Sequence, residues 1–448
     1  MPIGDLGVPI IGKNVVIAVL VQTHILIATF ILGSALIAPT AEYLGMVTKQ
    51  PKYERFARNL AKLIVLLFAT GSALAITFIL ALITLFPIFF SYLNNIFFWV
   101  FFIEAFMFLG VIIILYAWYN VWDKLAYRKT LHVTFGLVAG FFGVVQMTMI
   151  NAIAGYMLTP AEAPVTDVAR TFLNSSTVPL TMHRFVGNFS YTGFLIAGWA
   201  AWRYLRSTRE DDREYYDWMG HWGLIWGFGF LILQPVIGYG YLKSIREASP
   251  QAFATIMLGD KSWVFLLLMT WIAIMSIAST AYFVHKLRFA VKPTPTLRKM
   301  SVGALGFTAL FTVLNMIPAN GNLVPQIGLV FFDGGGPGGS KQIPLGFMYP
   351  YKYIGLIGLM LVGFFVIALY LRATATGFHW GRASRWSQYA LIVCAVTVVL
   401  TMMTMGYTRE TARRVDNDPG YLIYDCITLE QEITPTPCPA GESIAGGK

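Results

Sequence analysis

Long apolar runs, each close to 20 residues, recur along the whole sequence and constrain the fold more than any other feature. A run of about 20 apolar residues forms a helix that crosses a bilayer and satisfies its own backbone hydrogen bonds there. Hydrophobic residues make up 57% of the 448 residues and charged residues only 12%, which excludes a soluble globular domain. The sequence therefore predicts an all-α, polytopic transmembrane helical bundle. Its ten predicted spans are residues 15–38, 61–86, 96–119, 133–155, 179–202, 219–242, 263–285, 301–317, 351–371 and 387–407.

The basic residues are concentrated in alternate loops. The five loops that follow the odd-numbered spans hold nineteen of the 32 Lys and Arg residues. Short loops rich in Lys and Arg remain on the cytoplasmic side of a membrane. This pattern predicts that both termini lie outside. It also accounts for the net charge of +10 by topology, so that membrane lipid is the predicted partner and nucleic acid is not.

An ionisable pair, His183 and Arg184 in "TMHRFVGNFSY", lies about one turn inside the fifth predicted span. Met269 lies at a similar depth in the seventh span. An imidazole and a thioether that face each other form a bis-axial site for low-spin haem, and an arginine can bind a haem propionate. The alternative is a histidine and an arginine at the headgroup level, with side chains that reach outward to water.

His24 and Glu104 lie deeper, at a shared depth in the first and third predicted spans. A carboxyl group inside the membrane suggests a function such as proton transfer, and His24 is a candidate second haem ligand. The alternative is a hydrogen-bonded pair that only holds helices together. His132 falls near the cytoplasmic end of the fourth span, where a structural role is ordinary.

Several of these residues belong to longer motifs that occur in a recognisable order. "FFIEAFMFLGVIIILYAWYNVWDKL", "NAIAGYMLTP" and "HRFVGNFSYTGFLIAGWAAWRYL" follow one another after the histidine-bearing first span. Over roughly residues 15–290 the sequence resembles subunit I of the cytochrome bd-type oxidases. Each motif alone is weak, but their order and spacing together are fairly specific.

The resemblance implies a role for each candidate residue. His24 matches the axial histidine of the high-spin haem pair, and His183 matches the histidine ligand of the low-spin haem b. Met269 is the best candidate for the second ligand of that haem, with Arg184 near a propionate. Glu104 matches a carboxylate on the proton route. The implied cofactors are a low-spin haem b and, left open, a second haem b and haem d. His132 also has a counterpart in the family and is a candidate cofactor-binding residue.

The sequence departs from the family pattern in places that bear on its electron donor and its oxygen chemistry. Ala252 and Met257, in "SPQAFATIMLG", stand where the family's quinol loop has a Lys and a Glu. Ile96 replaces a second Glu, and Leu267 replaces an Arg just before Met269. The resemblance implies a carboxylate ligand to the high-spin haem b in a late helix, but the predicted spans 8 to 10 contain no Asp or Glu. In an alternative alignment, the ninth predicted span matches the family's methionine-bearing helix, and Ile354 then occupies the position of the methionine ligand.

Two functions follow from this resemblance. The first is the subunit of a bd-like terminal oxidase that passes electrons from an outer donor, through a low-spin haem b, to a high-spin site that reduces O2 to water. The missing Lys and Glu favour a cytochrome c or a peripheral subunit as the donor over quinol, which stays an alternative. The second is a non-catalytic b-haem membrane electron-transfer subunit of a larger respiratory complex.

The resemblance also predicts partners, location and domains. A second homologous or smaller membrane subunit is expected, in the bacterial cytoplasmic (inner) membrane. Residues 1–290 form the predicted haem-binding core, residues 291–407 add helices with a Gly-rich outer loop, and residues 408–448 form a polar outer tail. Cys426 and Cys438 in this tail either form a disulfide or remain free thiols.

Overall fold

The computed structural model describes residues 12–159, 168–249, 252–253, 256, 262–292, 295–316 and 350–412. Within these ranges the chain is helical, with an isolated β-bridge between Ala290 and Phe378 and no strand. The helices with defined ends are α1 (Lys13–Thr48), α2 (Pro51–Leu85), α3 (Pro87–Asn120), α4 (Lys129–Tyr156), α5 (Val168–Phe172), α6 (Thr177–Arg206), α7 (Glu210–Leu231), α8 (Gln234–Ala248), α9 (Ser262–Lys286), α10 (Pro295–Met316), α11 (Pro350–Thr376) and α12 (Arg385–Ala412).

Prolines and one left-handed residue define several helix ends. Pro51 and Pro87 occupy the first turns of α2 and α3, where the missing N–H of proline does no harm. Lys49 adopts a positive φ of 55° directly after α1 and ends that helix. Pro235 lies in the first turn of α8, so the predicted sixth span is divided into α7 and α8.

The prediction of an all-α, polytopic membrane fold is confirmed. In the described part of the chain, nine helical segments are long and apolar enough to cross a membrane, and α7 together with α8 counts as one of them. All ten predicted spans fall on helices, but α6 is not among the nine segments although it has 30 residues. The reason is its polar content. The polar side chains of its first half include Thr181, His183, Arg184, Asn188 and Ser190.

The chain divides into two compact units, which are described separately. The first unit comprises Met1–Phe185, Ser244–Thr255 and Arg409–Lys448. In it, α1 packs along α2 and α4, and α3 packs against α2 and α4. The second unit comprises Val186–Lys243 and Ile256–Thr408. In it, α10 packs against α9 and α11, and α7 contacts both α9 and α11.

Small residues bring α6 and α7 close together in the second unit. A Cβ atom added to Gly193 would lie only 2.2 Å from the backbone nitrogen of Gly227, and Gly223 faces Ala197 in the same way. Small residues at such crossings let membrane helices approach at backbone distance. This contact fixes the second half of α6 firmly against α7.

Some sequence predictions concern residues that lie outside the described ranges. These are the Gly-rich loop, the polar tail with Cys426 and Cys438, and Met257. The predicted functional division at residue 290 rests on motifs, and the compact units follow packing instead. Both the division and the tail chemistry therefore stay predictions.

Candidate functional site

His24 is held in one tautomer by the neighbouring helix. Its Nδ1 lies 3.1 Å from the backbone oxygen of Gly71 on α2. A carbonyl oxygen only accepts hydrogen bonds, so Nδ1 carries the proton and Nε2 carries the lone pair. A histidine that donates through one ring nitrogen in this way is oriented to bind iron through the other. The donor chemistry of His24 therefore fits an axial haem ligand.

Gly71 makes this contact possible. A Cβ atom at Gly71 would lie 3.1 Å from Cγ2 of Ile27, which is tighter than ordinary van der Waals contact. Ile27 is three residues after His24 on α1, so both residues face the same stretch of α2. The glycine lets α2 approach α1 closely enough for its backbone to orient the imidazole.

Glu104 has a hydrogen-bonding partner that the sequence analysis missed. Its Oε1 accepts a hydrogen bond of 2.7 Å from Nε2 of Gln146 on α4. The signal was present in the sequence, because Gln146 is the single amide in the apolar run "FFGVVQMTMI". His24 bonds Gly71 instead, and no direct hydrogen bond joins His24 to Glu104 in the described structure. The expected meeting of the two groups at a shared haem stays a prediction.

His132 is fully engaged by protein groups. Its Nδ1 lies 2.7 Å from Oε1 of Glu42 on α1, and its Nε2 lies 2.8 Å from the backbone oxygen of Trp118 on α3. The ring is buried and meets Trp122 edge to face at 4.6 Å. With both nitrogens bonded, the imidazole offers no lone pair to iron in this arrangement. The geometry favours the structural alternative, in which His132 ties α1, α3 and α4 together.

Arg184 belongs to a polar network between α4 and α6. Its Nη1 donates a hydrogen bond of 2.6 Å to Oδ1 of Asn151, whose Nδ2 donates one of 3.2 Å to Oγ1 of Thr181. Asn151 is completely buried. The Asn151 side chain thus fixes the position of the guanidinium of Arg184, the residue that follows His183. A guanidinium fixed in this way can bind a carboxylate such as a haem propionate.

Met269 lies on α9 in the second unit and is buried, with 8% of its surface exposed. His183 belongs to the first unit. Their pairing across one haem stays a prediction. Ile354, the residue of the alternative register, is 49% exposed on α11.

Two of the positions where the sequence resemblance implies charged residues, Ile96 and Ala252, lie in apolar surroundings or are buried in the described structure. Ile96 is buried in a hydrophobic cluster at the start of α3 with Leu93, Phe97 and Val100. Ala252 is buried, and α8 continues as a helix to Ala248. Among the described residues, no group of three or more His, Cys, Asp or Glu side chains could hold a bare metal ion.

Comparisons with known proteins agree with this architecture. The sequence model of cytochrome bd terminal oxidase subunit I matches residues 14–443. The structure of bd oxidase from Geobacillus thermodenitrificans superposes with a TM-score of 0.52 over 90% of this chain and 98% of that chain, at 15% identity. At this identity the superposition shows the fold alone. No curated protein sequence matches significantly. The match over nearly all of its length shows that the chain belongs to the cytochrome bd terminal oxidase subunit I family.

Proposed function

We propose that this chain is the haem-binding, oxygen-reducing subunit of a bd-like terminal oxidase. It passes electrons from an outer donor to O2, which is reduced to water with four electrons and four protons. His183 and Met269 are the proposed ligands of a low-spin haem b, with Arg184 at a propionate, and His24 is the ligand at a high-spin site. When bound, haem supplies an iron that stores an electron and binds oxygen. Membership of the family implies haem cofactors, while their number and type belong to this proposal.

The orientation of His24 is the observation that carries the proposal. A histidine that only held helices together would be expected to bond neighbouring side chains or backbone through both nitrogens, as His132 does. His24 bonds a backbone oxygen through Nδ1. The nitrogen left with the lone pair is the one an iron ligand requires.

Proton delivery is assigned to Glu104. Each proton added to reduced oxygen must come from an acid within reach, and a positioned acid contributes about 10²–10⁴-fold to such a step. Glu104 is a carboxyl group in the middle of α3, at the predicted depth of His24. It donates the proton from its carboxyl O–H and is reprotonated by water that reaches it through the protein.

The surface around Glu104 supports a second membrane subunit as partner. Phe102, Ile103 and Phe106 surround the half-buried Glu104 and are 46%, 41% and 55% exposed. An ionisable group on a lipid-facing surface costs about 2.5–3.5 kcal/mol at the centre of a membrane helix. An apolar helix of a partner subunit that covers this face removes the carboxyl group from lipid.

The electron donor is proposed to be a cytochrome c or a peripheral subunit at the outer face. Oxidation of quinol requires groups that accept its two protons. In the segment after α8, Ala252 is buried, and the sequence resemblance implies a charged residue at this position in the family. The chain lies in the bacterial cytoplasmic membrane with both termini outside, as the distribution of basic residues predicts.

A non-catalytic electron-transfer subunit is the second candidate. The observation that favours it is Ile96, which lies in an apolar cluster where a second carboxyl group is expected. Such a subunit would keep the haem at His183 and would not reduce oxygen.

Reduced-minus-oxidised spectra and a pyridine haemochrome assay of the purified complex separate these readings. We expect His24→Ala to lose the high-spin signal only and His183→Ala to lose the low-spin band only. His379→Ala, at an exposed histidine outside the helices, should keep both. A high-spin signal that survives His24→Ala overturns the assignment. Haem b alone, without oxygen consumption from reduced cytochrome c, supports the second candidate, and absence of haem excludes both.

A further inference from the structure

We propose that Gln146 is a positioning residue that decides which oxygen of Glu104 carries the proton delivered to oxygen. The inference rests on the proposed function, because it concerns the acid of that same site. Gln146 touches no reactant itself and acts only through Glu104.

The hydrogen bond determines the placement of the proton. Nε2 of Gln146 donates to Oε1 of Glu104 at 2.7 Å. An amide nitrogen donates and does not accept, so Oε1 must be the acceptor in both the neutral and the ionised state of Glu104. The carbonyl oxygen of a neutral carboxyl group is a better acceptor than its hydroxyl oxygen, so in the neutral acid Oε1 is the carbonyl oxygen and the proton lies on Oε2.

The packing of α3 on α4 holds the two side chains in register. At one end of the contact between α3 and α4, Nε2 of His132 donates a hydrogen bond of 2.8 Å to the backbone oxygen of Trp118. Glu104 precedes Trp118 by fourteen residues, and Gln146 follows His132 by fourteen residues. At 1.5 Å per residue, this is about 21 Å along each of two antiparallel helices. The contact between Trp118 and His132 thus brings Gln146 opposite Glu104.

A second contact, between these two ends, shows that the two helices also approach closely here. A Cβ atom at Gly110 on α3 would lie 2.5 Å from the ring of Phe142 on α4. Phe142 is one turn before Gln146, so α4 approaches α3 closely next to the hydrogen bond. The side-chain amide of Gln146 therefore extends from a stretch of α4 that is packed closely against α3.

The proton step then proceeds at a single atom. The O–H bond at Oε2 breaks, and a new O–H bond forms on oxygen that has been reduced by electrons from a one-electron protein donor. The carboxylate that remains keeps its bond from Gln146 at Oε1, so the next proton from water returns to Oε2. Without the amide, the proton divides between both oxygens and the carboxyl group rotates. The loss of one such hydrogen bond corresponds to roughly a two- to tenfold lower rate.

Infrared difference spectroscopy of the purified oxidase complex tests the bond directly. The carboxyl C=O band of Glu104 is the band that Glu104→Gln removes. We expect Gln146→Leu to shift this band to higher frequency, to keep the haem content, and to lower oxygen consumption roughly two- to tenfold. Thr148→Val is the matched control, because Oγ1 of Thr148 bonds only the oxygen of Val144 on its own helix, at 2.9 Å. It should change neither quantity.

Gln146→Glu has nearly the same shape and adds a pH-dependent readout. A protonated Glu at this position donates to Oε1 as the amide does, whereas an ionised one does not. Oxygen consumption by this variant should recover as the pH falls, relative to Gln146→Leu. Among the other titratable groups on α1 and α4, His24, Glu42 and His132 bond elsewhere and are common to both variants, and His132 lies about 21 Å along α4 from Gln146.

Each outcome separates this inference from the proposed function. An unshifted band in Gln146→Leu, or identical pH profiles for Gln146→Glu and Gln146→Leu, overturns the role of Gln146. Unchanged oxygen consumption in Glu104→Gln overturns the proposed proton donor, while the infrared band still reports the hydrogen bond. If Gln146→Leu does not assemble, the near-isosteric Gln146→Glu is compared with the parent protein: its oxygen consumption should rise towards that of the parent as the pH falls, and a pH profile identical to that of the parent overturns the role of Gln146.

Discussion

Removal of Lys286 alone should destabilise the second unit strongly. Its Nζ lies 2.5 Å from Oδ2 of Asp217, and both side chains are 0% exposed. The same oxygen accepts a hydrogen bond of 2.9 Å from the backbone nitrogen of Gly381, and the ammonium group lies 4.6 Å from the ring of Trp380. Oδ1 of Asp217 has no hydrogen-bond partner among the described residues. Lys286 is therefore the only cation that compensates this carboxylate at hydrogen-bond distance in the described structure.

The expected magnitude follows from this geometry. Loss of one partner of a buried ion pair costs about 3–5 kcal/mol, because the other charge stays buried without compensation. For an unfolding block the size of the second unit, about 210 residues, 1 kcal/mol corresponds to roughly 2–4 °C. Lys286→Met should therefore lower the unfolding temperature by roughly 6–20 °C. The methionine can fill the space above Trp380, so a cavity contributes little.

The double variant Asp217→Ala/Lys286→Met distinguishes a charge effect from a packing effect. Removal of both charges leaves only the N–H of Gly381 unsatisfied, which costs about 1–3 kcal/mol. We expect the double variant to be more stable than Lys286→Met. Lys49→Met, at an exposed lysine, should stay within about 0.5 kcal/mol of the parent protein.

Thermal unfolding in detergent, followed by circular dichroism at one scan rate, compares the four proteins. A fixed scan rate is needed because membrane complexes often unfold irreversibly. A double variant that is as unstable as Lys286→Met would refute the argument from uncompensated charge. So would a Lys286→Met protein that unfolds at the same temperature as Lys49→Met.

Three further predictions concern the first unit, the topology and the electron donor. Glu42→Gln should lower the unfolding temperature, because it weakens the buried hydrogen bond to His132. The haem spectra should stay unchanged, and the loss of a haem band would show that His132 is a cofactor-binding residue. A tag placed after residue 448 should be labelled from the outer face of intact cells, and labelling only after lysis would contradict the topology. Quinol should not be oxidised at residues 243–262, and quinol turnover by the purified complex that substitutions in this segment abolish would contradict the prediction.

The fold class could be predicted because it depends on a property that is local in the sequence. An apolar run of about 20 residues has few alternatives to a membrane helix. The motif order around His24, Glu104 and His183 was equally accessible, and the match over residues 14–443 confirms the family that it suggested. The polar content of α6 lowered its hydropathy without preventing a long helix from forming.

The partners of the polar residues could not be predicted in the same way. A helix that is apolar on all sides, such as α1, gives no signal for which face meets which neighbour. Gln146 and Asn151 were visible as amides in apolar runs, but their bonds to Glu104 and Arg184 depend on helix rotation and register. Lys286 directly follows the predicted seventh span, residues 263–285, and so counts among the basic residues of the loop after it, yet it is completely buried against Asp217, 69 residues away in the chain.

His24 on α1 and His132 on α4 are alike in the sequence but differ in their hydrogen bonds in the structure. Both lie in apolar helices, and the sequence resemblance implies a counterpart in the family for both. His132 uses both ring nitrogens to join three helices, and His24 uses Nδ1 to contact a helix backbone that a glycine brings close. An imidazole binds iron only through a nitrogen with a lone pair, so the number of protein partners decides which histidine can serve as a ligand. Within the first unit, this criterion selects His24 over His132 as the proposed haem ligand.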